Sequence, residues 1–154
     1  MSTRQLWASA QATGGAQAVP TGVPGGGGQH PCVLVVDDEP AICKALVIVL
    51  SRCGYEVVAA HGGEEAHAIL GRRPVDVLVV DLRMPDLRGD VVYHLATSLQ
   101  PALAGRTIFT SGDHSPKAEA LVAECHCPLI RKPFELSDIV AAVQSLAPAM
   151  SQTA

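Results

Sequence analysis

The chain is poor in aromatic residues and in charged residues. Both shortages limit the kind of core that it can form and the kind of partner that it can bind. Aromatic residues make up 3% of the 154 residues and charged residues 17%. A core built from so few aromatic side chains must consist mainly of Val, Leu, Ile and Ala, and the hydrophobic content of 48% supplies them. Lys and Arg number 11 against 15 for Asp and Glu, a net charge of -4, which gives no basic surface for nucleic acid. We therefore expect no direct contact with nucleic acid.

Long apolar runs and widely spaced cysteine pairs are also missing. The apolar stretch from Ala45 to Leu50 is far shorter than a membrane-spanning helix, and the N-terminus has no signal-peptide pattern. Five cysteines, an odd number, argue against a disulfide framework and favour a reducing compartment. We expect a cytoplasmic protein with no membrane partner. Cys125-His126-Cys127, with His114 nearby, is spaced too closely for a usual zinc site, and we predict a helix end and a turn there.

The length of the chain predicts one folded domain between two tails. Residues 1–30 are mainly Ala, Gln, Gly and Thr, with a glycine run at 25–28. Such a segment cannot bury enough apolar surface to offset its ordering entropy, so we predict a disordered tail. The folded domain is predicted over 31–147, and a short flexible tail over 148–154.

Short apolar runs alternate with helical periodicity from Cys32 onward. Strands are predicted at 32–36, 55–60, 77–81, 106–111 and 128–131. Helices are predicted between them at 40–53, 64–70, 90–99, 115–124 and 135–146. This alternation predicts an α/β fold, a doubly wound five-stranded parallel sheet with helices on both faces. The run Val77 to Val80 is continuous rather than alternating, which is typical of a strand covered on both faces.

Distinctive polar groups follow four of these strands. Asp37-Asp38, Asp81, Ser111 and Lys132 each come where an apolar run ends. The carboxyl ends of parallel strands share one edge of the sheet, where ligands and chemistry collect. Three carboxylates there would raise one another's pKa unless a cation lay among them, and hard oxygen ligands suit Mg²⁺. A lysine and a hydroxyl complete what phosphoryl transfer to an aspartate nucleophile requires.

From about residue 31 to residue 146 the chain resembles a response-regulator receiver domain. The matching segments are Val35-Val36-Asp37-Asp38-Glu39-Pro40, Asp81-Leu82-Arg83-Met84-Pro85-Asp86 with Gly89, Ser111-Gly112 and Lys132-Pro133-Phe134. Their combination and order are highly specific and cover nearly all of the predicted domain. The resemblance implies the flavodoxin-like strand order 2-1-3-4-5.

The resemblance also implies a role for each acidic residue. Asp81 would be the phosphoacceptor. Asp38 and Asp81 would bind Mg²⁺ directly, together with the backbone carbonyl of Arg83, and Asp37 would act through a bound water.

The phosphoryl donor would be a histidine kinase or a phosphotransfer protein, and the output would pass to an unidentified downstream protein. No enzyme activity is expected beyond phosphorylation and dephosphorylation of the domain itself.

Lys132 and a hydroxyl would contact the phosphoryl group. The resemblance implies that Lys132 pairs with it and that the Lys132–Pro133 bond is cis, which bonds to proline allow. Thr110 and Ser111 both carry hydroxyls, but side chains alternate along a strand, so only one points at the site. We prefer Ser111 because Gly112 follows it, as in the family pattern.

The sequence departs from the family pattern at two positions. Many receivers carry an aromatic residue three positions before the lysine, and this chain has Leu129 there. The chain therefore lacks, at this position, the aromatic side chain on which the usual switching depends. Arg83 follows the phosphoacceptor by two residues, where a long cation could reach the phosphoryl group and alter its hydrolysis rate.

Three other functions compete with phosphoryl signalling. A receiver fold that acts only as an interaction module would not need the complete polar set. A Mg²⁺ phosphohydrolase usually has an acid where this chain has Arg83. A flavin binder would need a hydroxyl- and glycine-rich loop where Asp37-Asp38-Glu39 stands. We expect either a stand-alone receiver or the receiver end of a hybrid histidine kinase.

Overall fold

A parallel sheet with helices on both sides forms the described part of this computed structural model, residues 30–113 and 115–149. The strands are β1 (Cys32–Val36), β2 (Glu56–Ala60), β3 (Val77–Asp81), β4 (Thr107–Ser111) and β5 (Leu129–Arg131). The helices are α1 (Pro40–Arg52), α2 (Gly63–Leu70), α3 (Gly89–Leu99), α4 (Pro116–Cys125) and α5 (Leu136–Leu146), with a 3₁₀ helix at Pro101–Gly105. The strand order is β2-β1-β3-β4-β5 and all pairings are parallel. The predicted fold class and strand order are confirmed.

The predicted tails fall almost entirely outside the described residues. His30, Pro148 and Ala149 are described, and the rest of 1–30 and of 148–154 is not. Within the ranges 30–113 and 115–149, no helix is both long enough and apolar enough to cross a bilayer.

The two faces of the sheet carry separate hydrophobic cores. One core joins alternate strand residues, such as Val35 and Val79, to buried residues of α1 and α5. The other joins the intervening residues, such as Val36 and Val80, to α2, α3 and α4. Every residue of β1, β3 and β4 is buried, which is why these strands are apolar runs without alternation.

Helix α3 is rotated relative to its predicted orientation. The apolar spacing predicts Val91, Val92 and Leu95 as its inner face, but the structure buries Tyr93 and Ala96 beside Val92. Tyr93 turns inward because its ring packs against Phe109 at 5.6 Å between centroids and its hydroxyl donates to a backbone carbonyl. Aromatic contact area therefore outweighs the aliphatic spacing in this helix.

The loop between β3 and α3 is anchored at two points, and this fixes the end of β3. A Cβ atom at Gly89 would lie 2.4 Å from the carbonyl oxygen of Asp81, so only glycine permits this approach. Asp86 accepts hydrogen bonds from the backbone N–H groups of Gly63 and Glu64, each at 3.0 Å. It thereby caps α2, whose own N-cap residue, Gly62, has no side chain for the purpose.

Candidate functional site

Three aspartates meet at the carboxyl edge of the sheet. Val36 pairs with Val80, so the next residues of the two strands, Asp37 and Asp81, lie side by side. Carboxylate oxygens of Asp37, Asp38 and Asp81 all lie within 4.8 Å of one another. Asp37 and Asp81 are 2% and 4% exposed, whereas Asp38 is open to solvent. The structure thus brings together the three acidic residues predicted from the sequence.

Lys132 reaches this acidic cluster from the end of β5. Its Nζ atom lies 3.0 Å from Oδ2 of Asp37, 3.2 Å from Oδ2 of Asp81 and 2.9 Å from Oε1 of Glu39. The Lys132–Pro133 bond is cis, as the resemblance implies. The sequence analysis did not predict Glu39 as a site residue, although Glu39 directly follows Asp37-Asp38 in the chain.

Burial and like charge perturb the acid at the centre of the site. Burial, and then the charge of Asp37, raise the pKa of Asp81 from 3.8 to about 6, although Lys132 opposes the shift. Burial alone would lower the pKa of Lys132, but hydrogen bonds to Glu39 and Asp37 raise it above its ordinary value. These contacts favour the charged form of Lys132, and added positive charge at the site would favour the ionised form of Asp81.

The donor set fits a hard divalent cation. Three carboxylates, those of Asp37, Glu39 and Asp81, contact one ammonium group, and Asp38 lies beside Asp37 and Asp81, so negative charge is in excess at this edge. The oxygen-only cluster of Asp37, Asp38 and Asp81 matches the preference of Mg²⁺. The backbone N–H of Arg83 hydrogen-bonds to the Asp81 carboxylate, so the peptide of Arg83 is adjacent to the cluster. That its carbonyl is a ligand stays a prediction.

The two candidate hydroxyls occupy neighbouring positions at the end of β4. The strand register pairs Asp81 with Thr110, so Thr110 lies on the same face of the sheet as Asp81. Ser111 pairs with Arg131 and lies at the end of β4. Its Oγ atom accepts a hydrogen bond from the N–H of Asp113 at 2.8 Å and lies 3.3 Å from the carbonyl oxygen of that residue. The preference for Ser111 stays a prediction.

The side chain of Arg83 points to the loop that follows β4. Its Nη1 atom lies 3.4 Å from Oδ2 of Asp113, and the Arg83 side chain is 73% exposed. Sequence reasoning named Arg83 but did not identify Asp113, which no motif marks. The pairing depends on two loops that only the sheet brings together.

The cysteine segment lies away from the acidic cluster and has a structural explanation. His126 ends α4 in the left-handed conformation, with φ of 57°, which matches the predicted helix end and turn. The Cys127 thiol lies 3.3 Å from the carbonyl oxygen of Cys125. His114 lies outside the described residues.

Comparison with known proteins identifies the family. A family model described as the response regulator receiver domain matches residues 33–144. The transcriptional regulatory protein KdpE of Mycobacterium tuberculosis is 37% identical over 117 residues, which cover 73% of this chain and 49% of KdpE. The probable transcriptional regulatory protein TcrX of the same organism is 31% identical over 119 residues, 77% of this chain and 50% of TcrX. The chain therefore belongs to the response regulator receiver domain family, and it spans about half the length of these two relatives.

Solved structures share the fold. A CheY-like receiver domain protein of Methanospirillum hungatei superposes with a TM-score of 0.70 over 75% of this chain and 92% of that chain, at 24% identity. A response regulator of Burkholderia pseudomallei gives a TM-score of 0.67 at 27% identity, over 75% of this chain and 67% of that chain. The structure of the Burkholderia protein contains a phosphorylated aspartic acid, a calcium ion and citrate.

Proposed function

We propose that this receiver domain accepts a phosphoryl group on Asp81 in the presence of Mg²⁺, and that the modification changes its affinity for a downstream protein. The donor is a phosphohistidine on a histidine kinase or phosphotransfer protein. The observation that carries the proposal is the position of Asp81, which is buried at a strand end beside Asp37 and in contact with the ammonium group of Lys132.

The site residues divide the chemistry among themselves. A carboxylate oxygen of Asp81 attacks the phosphorus atom, and an O–P bond forms as the P–N bond to the donor imidazole breaks. The imidazole retains the electron pair of that bond and takes up a proton. Lys132, 3.2 Å from the attacking carboxylate, neutralises charge on the phosphoryl oxygens.

The acidic cluster supplies the cation site that this chemistry needs. Asp38 and Asp81 would hold Mg²⁺ with the carbonyl of Arg83, and Asp37 would contribute through a water molecule. When bound, the ion neutralises repulsion between the carboxylates and the phosphoryl oxygens. The Burkholderia relative, with a phosphorylated aspartic acid and a calcium ion, supports this combination on the same fold.

Burial of charge favours this function over that of an unphosphorylated interaction module. Removing charged groups from water costs stability, and an apolar set of similar volume would hold the fold at least as well. Asp37 and Asp81 are nonetheless both buried beside Lys132. A phosphohydrolase is disfavoured because Arg83 occupies the position at which such enzymes usually have a second acidic residue. We therefore propose that the domain catalyses only its own phosphorylation and dephosphorylation and does not turn over a substrate.

The output that we propose is control of transcription through a separate effector. The Mycobacterium relatives are named transcriptional regulatory proteins, and this chain spans about half of their length. The net charge of -4 disfavours direct DNA contact by this chain. Contact with DNA would therefore be made by an effector domain or partner.

Intact mass spectrometry after incubation with Mg²⁺ and acetyl phosphate tests the proposal. We expect one added phosphoryl group on the wild type, none on Asp81→Asn, and none when a chelator removes Mg²⁺. Asp138→Asn, an exposed change at the start of α5, is the matched control and should behave as the wild type. Equal phosphorylation of Asp81→Asn and the wild type would refute the assignment.

A further inference from the structure

Asp113 connects three parts of the molecule that no motif links. Its Oδ2 atom lies 3.4 Å from Nη1 of Arg83, which belongs to the loop that follows the phosphoacceptor. Its Oδ1 atom accepts the backbone N–H of Ser115 at 2.9 Å, directly before α4. Its own N–H donates to Oγ of Ser111 at 2.8 Å. One residue therefore contacts the acceptor loop, the preferred switch hydroxyl and the start of a helix.

The start of α4 depends on this loop for its position. Ser115 is the N-cap residue, and its hydroxyl accepts the N–H of Ala118 at 3.2 Å. The buried residues of α4 are Ala118 and Val122, so few apolar contacts hold the helix against the sheet. A change in the hydrogen bonds of Asp113 is transmitted to Ser115 directly.

Two partners of Asp113, Arg83 and Ser111, carry donors that a phosphoryl group on Asp81 would attract. Arg83 is two residues from Asp81, and its guanidinium group suits bidentate contact with phosphoryl oxygens. An exposed ion pair at 3.4 Å contributes little to stability, so its release costs little. The hydroxyl of Ser111 donates to the carbonyl oxygen of Asp113 at 3.3 Å, and it can donate to only one acceptor at a time. A dianionic group on Asp81 would thus compete with Asp113 for both residues.

Building on the proposed phosphorylation of Asp81, we propose that Asp113 is a positioning residue that couples this modification to α4. In the unphosphorylated domain Asp113 holds Arg83 and Ser111, and these contacts fix the loop and the N-cap of α4. When the phosphoryl group attracts both donors, Asp113 loses the ion pair with Arg83 and the hydrogen bond from the Ser111 hydroxyl, and the first turn of α4 loosens. Arg83 then shields the phosphoryl group. This route needs no aromatic residue at Leu129.

Two readouts on matched variants test this coupling. The first is amide hydrogen exchange at residues 115–119, measured with and without beryllium fluoride, a stable mimic of an aspartyl phosphate. The second is the lifetime of the phosphoryl group after acetyl phosphate is removed. The variants are Arg83→Ala, which retains the backbone carbonyl at that position, and Asp113→Ala. Arg88→Ala is the control, because Arg88 forms a 3.0 Å ion pair with Asp90 in the same loop as Arg83 but contacts neither Asp113 nor Asp81.

The two variants should agree in one readout and differ in the other. Without the mimic, exchange at residues 115–119 should be about two- to fivefold faster in Arg83→Ala and Asp113→Ala than in the wild type, the range expected for losing an exposed ion pair. The mimic should accelerate exchange at these residues in the wild type and in Arg88→Ala. The acceleration that the mimic causes should be smaller in Asp113→Ala. The phosphoryl lifetime should be shorter in Arg83→Ala than in Asp113→Ala, which retains the cation.

The results that would overturn the coupling differ from the result that would overturn the proposed function. Wild-type exchange rates at residues 115–119 in both variants would show that the Arg83–Asp113 pair does not position α4. Equal phosphoryl lifetimes in both variants would exclude Arg83 as the shield. If the wild type takes up no phosphoryl group, the proposed function fails and the coupling fails with it.

Discussion

The ammonium group of Lys132 lies 3.2 Å from Oδ2 of Asp81, although β4 separates β3, which ends at Asp81, from β5, which Lys132 directly follows. The lysine therefore spans the carboxyl edge of the sheet and places its charge beside the central acid. The same ammonium group contacts Asp37 and Glu39, so a single cation offsets several carboxylates. The proposed function depends on this excess of negative charge, because it makes the site suitable for a divalent cation.

Replacing Lys132 should slow phosphorylation of Asp81. Lys132→Ala removes the fixed cation that would stabilise charge on the phosphoryl oxygens, and we expect a rate loss on the order of 100-fold. The rate is measured by intact mass against time with acetyl phosphate and Mg²⁺. Thermal melting confirms that the variant is folded. Wild-type kinetics in a folded Lys132→Ala protein would show that the ammonium group has no part in the transfer.

Binding of Mg²⁺ should weaken as the pH falls. The pKa of Asp81 is raised to about 6 without metal, and the ion binds the carboxylate rather than the acid. Below that pKa a proton competes with the metal, so affinity should fall roughly tenfold per pH unit. Isothermal titration calorimetry between roughly pH 5 and pH 7.5 measures the effect, and Asp38→Asn should bind weakly throughout this range. An affinity that does not change with pH would mean that the ion does not bind Asp81.

The two hydroxyls of β4 can be separated by substitution. Ser111→Ala removes the hydroxyl that we prefer as the phosphoryl contact, and we expect phosphorylation to slow by about tenfold, typical of one hydrogen bond to a charged group. Thr110→Val keeps the branched shape of a residue buried on the Asp81 face and should have a smaller effect. The rates are compared by intact mass. A large loss in Thr110→Val together with normal rates in Ser111→Ala would reverse the assignment.

Gly89 should not tolerate a side chain. Its added Cβ atom would meet the carbonyl oxygen of Asp81 at 2.4 Å, so Gly89→Ala must displace the end of β3. We expect a loss of about 1–3 kcal/mol in the free energy of unfolding, the usual cost of overpacking, and slower phosphorylation. Urea denaturation measures the first effect. Gly105→Ala is the control, because no atom lies within 4 Å of the added Cβ atom; equal stability of both variants would contradict the geometry.

Local sequence patterns predicted the strands and the acidic edge of this fold correctly. The strand ends of an all-parallel sheet share one edge, so the positions of Asp37, Asp81 and Lys132 along the chain were sufficient to group them. The contact between Lys132 and Glu39 joins residues 93 positions apart and depends on side-chain reach, which no pattern encodes. The Arg83–Asp113 pair and the inward turn of Tyr93 were missed for the same reason, because tertiary packing decides both.

The most direct test of the account is chemical mapping of the phosphorylated residue. Borohydride reduces an aspartyl phosphate to homoserine, so treatment of the phosphorylated protein marks the acceptor permanently. Peptide mass spectrometry then locates the change. The account predicts homoserine at position 81, dependent on Mg²⁺ and on the phosphodonor. Conversion at another aspartate, or a phosphoryl group that resists borohydride, would contradict the assignment of Asp81 as the acceptor.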